Sequence, residues 1–145
     1  MFEFFFNLVG IPNFDYVIFF FMTKAFLYLF CDNKLSTNFT SMTHAVTTVI
    51  SSFIYLICNN PILSLPIYIT NTKIIQFSIS YFIYDFIMCL INQRGIMLYA
   101  YLYHHIASIL MLNQNDDYFP PILMIFLAEL SNIPMYFVYF YLQRK

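Results

Sequence analysis

Two adjacent histidines, His104 and His105, interrupt the run YLYHHIASIL at residues 101–110, which otherwise reads as apolar helix. Imidazole is the side chain best suited to move a proton or attack a carbonyl near neutral pH. Two carboxylates stand in neighbouring apolar runs, Asp85 in YFIYDFIMCL and Glu129 in FLAELSNIP. A carboxylate that accepts the proton of one ring nitrogen leaves the other nitrogen free as base or nucleophile. Asp85, His104, His105 and Glu129 are therefore the candidate catalytic residues. Successive helical residues point about 100° apart, so the two histidines cannot share one role. One faces the centre of a polar core while the other flanks it and meets a neighbouring helix.

The elements that must position these groups follow from composition. The chain has 145 residues, 61% of them hydrophobic and 9% charged, with a mean hydropathy of +0.73. A soluble domain carries about 25% charged residues, so there is too little charge here to cover a water-facing surface. Apolar runs of roughly 17–25 residues cross a bilayer as helices, and lipid leaves a spanning backbone no partner but itself. The expected fold is an all-α polytopic membrane helix bundle, one domain over residues 1–145. Its spans are read at roughly 14–31, 41–58, 73–91, 96–112 and 120–142. Long, nearly continuous apolar runs exclude a β-barrel, whose strands are short and alternating. DNKLSTNFT and NNPILSLPIYITNT are read as loops and NQRG as a tight turn. Pro120 and Pro121 suit the first turn of the fifth helix.

Four of these spans carry polar side chains three or four residues apart, a spacing that shares one helix face. The stripes are His44, Thr48, Ser51 or Ser52, and Tyr55; Ser78, Tyr81 and Asp85; Tyr101, His104 or His105, and Ser108; Glu129, Asn132 and Tyr136. Ionisable groups inside a membrane are costly, and they usually face a bundle interior or a wet cavity and pair with one another. At about 1.5 Å per residue, Glu129 and the histidines fall near mid-bilayer, and Asp85 and His44 in the half toward the expected cytosolic side. One shared polar core is the expectation. The structural reading stands beside it: Ser, Thr, His and Tyr also hold helices together by hydrogen bonds, and His44 taken alone is read that way.

Other chemistries are excluded or set aside. The net charge of −1 gives nucleic acid nothing to bind, and Gly10 and Gly95 are the only glycines, too few for a phosphate loop. Cys31, Cys58 and Cys89 are far apart and read as free thiols. Three histidines are too few for a membrane di-iron oxidase, so no metal and no cofactor is expected. A proton-coupled carrier would use the same carboxylates as relays, but no internal repeat supports it. The acidic Glu3 in MFEFFFNLVG argues against a cleaved signal. Lys34, Arg94, Arg144 and Lys145 fall on one side of five spans, opposite Lys73, Glu3, Asp116 and Asp117. The basic side is expected in the cytosol, with the C-terminus. That leaves the Asn38-Phe39-Thr40 sequon cytosolic and unused.

The order STNFTSMTHAV, YFIYDFIMCL, YLYHHIASIL and FLAELSNIP resembles the TLC (TRAM-LAG1-CLN8) domain family, in its small branch outside the ceramide synthases, over residues 36–140. The resemblance implies a helical bundle that binds or modifies lipids and so alters membrane composition, in an endomembrane such as the ER, or in a host membrane were the chain viral. In the ceramide synthase branch the paired histidines serve acyl transfer from acyl-CoA, which would place that chemistry at His104 and His105 with acyl-CoA as substrate. That branch follows the pair with an acidic cluster in the next span, where this chain has Glu129 alone. The family usually continues through further spans, so a second copy or another membrane protein is expected to complete the bundle. The alternative is a non-enzymatic lipid sensor, chaperone or structural bundle.

Overall fold

Apolar runs bounded by turn residues form five α-helices in the computed structural model, which describes residues 14–58, 71–113 and 119–143. They are α1 (Phe14–Tyr28), α2 (Asn33–Cys58), α3 (Asn71–Asn92), α4 (Ile96–Asn113) and α5 (Phe119–Gln143). No strand occurs among the described residues, and the all-α bundle is as expected. Three of the helices, α2, α3 and residues Pro121–Leu142 of α5, are long and apolar enough to cross a membrane. The protein is membrane-embedded by that measure. Large apolar side chains face outward on every helix, among them Met22, Phe53, Leu90, Tyr103 and Phe137, the distribution expected where hydrocarbon is the solvent. Glu3, Asp116, Asp117, Arg144 and Lys145, and most of the Pro-punctuated loop, lie outside the described residues.

One boundary differs from the sequence reading. DNKLSTNFT is helix from Asn33 onward and not a loop. Asp32 caps it: its Oδ1 accepts from Leu35 N–H at 2.7 Å, and its carbonyl accepts from Ser36 N–H at 2.9 Å. Ser36, Thr37 and Thr40 then turn their hydroxyls onto carbonyls three or four residues back, at 2.8–2.9 Å, so the polar side chains are satisfied within the helix. The sequon therefore lies on a helix, with Thr40 fully buried. Asn71 and Thr72, read as the end of the second loop, belong to α3, and residues 59–70 and 114–118 lie outside the described residues. NQRG is a tight turn with Gly95 in the left-handed region at φ +68°, and Pro121 lies in the first turn of α5.

α2 is the central helix, packed on α1, α3 and α5, while α4 packs on α3. Its inward face is Ser36, Thr40, Ser41, His44, Ala45, Thr48 and Ser52, all but His44 small residues that let neighbouring backbones approach. Thr48 is 1% exposed and its Oγ1 has no hydrogen-bond partner. Thr48→Leu is expected to lower stability by about 1–3 kcal/mol through overpacking. Thr48→Val is expected to be neutral or stabilising, because it removes a buried, unsatisfied hydroxyl. Thermal unfolding in detergent separates the two, and an equal loss in both would show that the hydroxyl, not the space, matters.

The apolar core shapes what lies below it. Ile74, Ile75 and Ile79 of α3, Ile109 and Leu112 of α4, and Ile122 and Ile125 of α5 form one cluster. These residues come from the start of α3, the end of α4 and the start of α5, so the three helices converge at one end of the bundle. A second cluster, Phe20, Tyr81, Tyr84 and Met88, fixes α1 on α3. Phe20 is fully buried, with ring centroids 5.0 Å from Phe77 and 5.3 Å from Tyr81. Neither cluster fills the space between α4 and α5, which begins at Leu112 and Ile125 of the first cluster and runs to the opposite end.

Candidate functional site

That space is a cavity of about 980 Å³, lined by α2, α3, α4 and α5. Asn33, Lys34, Asn38, Asn92 and Gln93 line it from the start of α2 and the end of α3. Met88, Met111, Met124, Ile125 and Met135 line its apolar walls. All four candidate residues, Asp85, His104, His105 and Glu129, line this one cavity. The four share one cavity wall, but the expected enclosure is incomplete, because His104 is exposed.

They do not form a single constellation. His105 is buried, and its Nε2 lies 2.9 Å from Asp85 Oδ2, a hydrogen-bond distance across α3 and α4. The Cys89 Sγ, one helical turn beyond Asp85, lies 3.8 Å from the same Nε2. His105 Nδ1 is buried and has no hydrogen-bond partner. His104 is an exposed cavity-lining residue, its ring centroid 5.4 Å from that of His105 and edge-on to Phe82 at 6.3 Å. The adjacent histidines divide as the 100° rule requires, one anchored and one accessible.

Glu129 belongs to a second centre. Its Oε1 lies 3.6 Å from His44 Nδ1, and its Oε2 accepts from Asn132 Nδ2 at 3.2 Å. The His44 contact is an ion-pair approach but too long for a hydrogen bond, and His44 Nδ1 indeed has no hydrogen-bond partner. His44 Nε2 meets Ser78 Oγ at 3.4 Å. Its ring stacks on Tyr81 at 3.9 Å with an interplanar angle of 8°. His44 is fully buried and does not line the cavity.

Two residues escaped the sequence reading. Lys24 of α1 is buried, its Nζ donates to Met88 Sδ at 3.7 Å, and the Asp85 carboxylate attracts it. A lysine in mid-span was the available signal. Cys89 reads from the sequence as a free thiol. Its place four residues after Asp85 was the signal that it shares Asp85's helix face.

The accessible imidazole of His104 can accept or donate a proton to a cavity occupant, and the Asp85–His105 contact holds its neighbour in place. Comparison with protein families, curated proteins and solved structures gives no match to this chain.

Proposed function

We propose that this is a TLC-type membrane protein that binds or modifies a lipid in the cavity between α4 and α5. The observation that carries the reading is the amphipathic lining. Polar and basic side chains from the start of α2 and the end of α3 suit a headgroup, and the methionine and isoleucine walls suit an acyl chain. Methionine is adaptable in shape, which fits a flexible chain. The resemblance of the four helical motifs to the TLC domain supports the same reading independently of the cavity.

The mechanistic form is acyl transfer, with acyl-CoA as donor. His104 is the base or nucleophile, Asp85 and His105 form the wall beside it, and Glu129 holds the polar face of α5. In this proposal the bundle crosses the membrane five times, in an ER-like endomembrane. Lys34 and Arg94 mark the cytosolic side, so the C-terminus is cytosolic and a soluble donor reaches the cavity from there. A second copy or another membrane protein closes the side between α4 and α5. The complete burial of His44 favours a second reading, in which the polar core fixes packing and the protein senses or carries lipid without reacting with it.

Ser108→Phe tests binding under either reading. Ser108 is a half-buried cavity-lining residue, so a ring there occupies the lipid's space. Protein purified in mild detergent is expected to carry lipid, read by mass spectrometry, and the variant to lose most of it while unfolding at the same temperature. Equal lipid content in both, with an unchanged lipid profile in expressing cells, would remove the cavity from the function.

A further inference from the structure

We propose that Asp85, Cys89 and His105 form a binding site for a divalent transition-metal ion of the zinc type, with a fourth position open to the cavity. This departs from the sequence-based expectation of no metal. It goes beyond the lipid reading and does not rest on it.

The geometry carries the inference. One carboxylate oxygen, one thiol sulfur and one imidazole nitrogen lie within 4.8 Å of one another. Asp85 and Cys89 are four residues apart on α3 and so share a face. The tight turn at Gly95 brings α4 back antiparallel and delivers His105 to that face. Ligands at the usual zinc distances on a tetrahedron stand about 3.3–3.6 Å apart. The observed 2.9 Å from Asp85 Oδ2 and 3.8 Å from Cys89 Sγ to His105 Nε2 bracket that value.

Two alternatives explain the cluster less well. A thiol–imidazole–carboxylate relay needs the thiol and the carboxylate on opposite ring nitrogens. Here both converge on Nε2, and Nδ1 is buried on the far side without a partner. A hydrogen-bonded pair alone uses Nε2 on Asp85 and gives the Cys89 Sγ, 3.8 Å from the same nitrogen, no part. The orphaned Nδ1 is common to the metal-bound and metal-free forms and does not separate them.

Charge and donor type then name the ion. A thiolate and a carboxylate neutralise a divalent cation, and the imidazole adds no charge, which suits a site inside a membrane. A sulfur ligand disfavours calcium and magnesium and favours zinc or its neighbours. Three protein ligands leave the fourth position free, and all three residues line the cavity. Bound this way, His105 is a ligand and His104 remains the accessible imidazole.

The test uses the purified full-length chain in detergent. Cobalt(II) serves as a spectroscopic stand-in and elemental analysis follows zinc. The wild type is expected to hold about one ion per chain. The cobalt form should show a thiolate-to-metal charge-transfer band and the visible bands of tetrahedral coordination. Cys89→Ser should abolish the charge-transfer band and weaken zinc binding by roughly tenfold or more, while Cys58→Ser changes neither. A wild-type cobalt spectrum without the charge-transfer band overturns the proposal whatever the variants do, and so does equal zinc content in wild type and Cys89→Ser. Lipid retention in the Ser108→Phe comparison is read separately, so the metal site can fail while the lipid reading holds.

Discussion

Alanine at His104 is expected to give a protein that folds as the parent does and, if the proposed acyl transfer is its reaction, loses that activity by about a hundredfold or more. A positioned general acid or base contributes roughly 10²–10⁴ in rate, and His104 is the exposed one of the paired imidazoles, while His105 is buried. Its aromatic contacts are a 5.4 Å approach to His105 and an edge-on contact with Phe82, so truncation removes little packing. His105→Ala is expected to behave differently. It breaks the 2.9 Å contact with Asp85 and empties a buried position, so it should lower the unfolding temperature as well as the activity. The measurement is transfer of a labelled acyl chain from acyl-CoA to membrane lipid by protein in vesicles, alongside thermal unfolding. Full activity in His104→Ala would take the reacting role from that residue. Absence of transfer by the wild type, with lipid still bound, would leave the non-enzymatic reading in its place.

This division of labour was half legible in the chain. Period and composition exposed the helices, because a bilayer permits few structures and an apolar run has little else to become. The polar stripes were legible for the same reason: His44, Thr48 and Ser52 recur at helical spacing and do turn inward together. The start of α2 differs from the sequence expectation because polarity alone does not distinguish a loop from a helix whose polar side chains bond to their own backbone. The serines and threonines of LSTNFT satisfy themselves on their own helix, and the cavity into which Lys34 and Asn38 face exists only after folding. Pairing across helices was the least legible part. Spacing placed Asp85 and Glu129 as equal candidates to orient a histidine. Only the packing of α2 between α3 and α5 shows that Glu129 answers to His44 and Asp85 to His105. Cys89 had a one-dimensional signal, its offset from Asp85, but its meaning depends on a nitrogen sixteen residues further on.

His44 offers the sharpest separation of packing from chemistry. It is fully buried and stacks face to face on Tyr81 at 3.9 Å, with Phe77 at 5.7 Å and Phe20 at 5.9 Å around it. Truncating a ring in such a site costs roughly 3–5 kcal/mol through lost contacts and the void left behind, and His44→Ala is expected near the lower end because imidazole is the smallest of these rings. His44→Phe keeps the stack and gives up the 3.4 Å contact to Ser78 and the 3.6 Å approach to Glu129. Neither is a strong hydrogen bond at those distances, and Glu129 keeps its Asn132 donor, so the phenylalanine variant is expected to lose less than His44→Ala does, about 1–3 kcal/mol, the cost of fitting a somewhat larger ring. Unfolding of the three proteins in one detergent gives the order directly. An equal loss in both variants would mean that the polar contacts, weak as their geometry is, hold α2 to α3 and α5. Because the cavity does not reach His44, His44→Phe should also keep the proposed acyl transfer and lipid retention. A stable phenylalanine variant without activity would join His44, through Glu129, to the reacting side of the bundle.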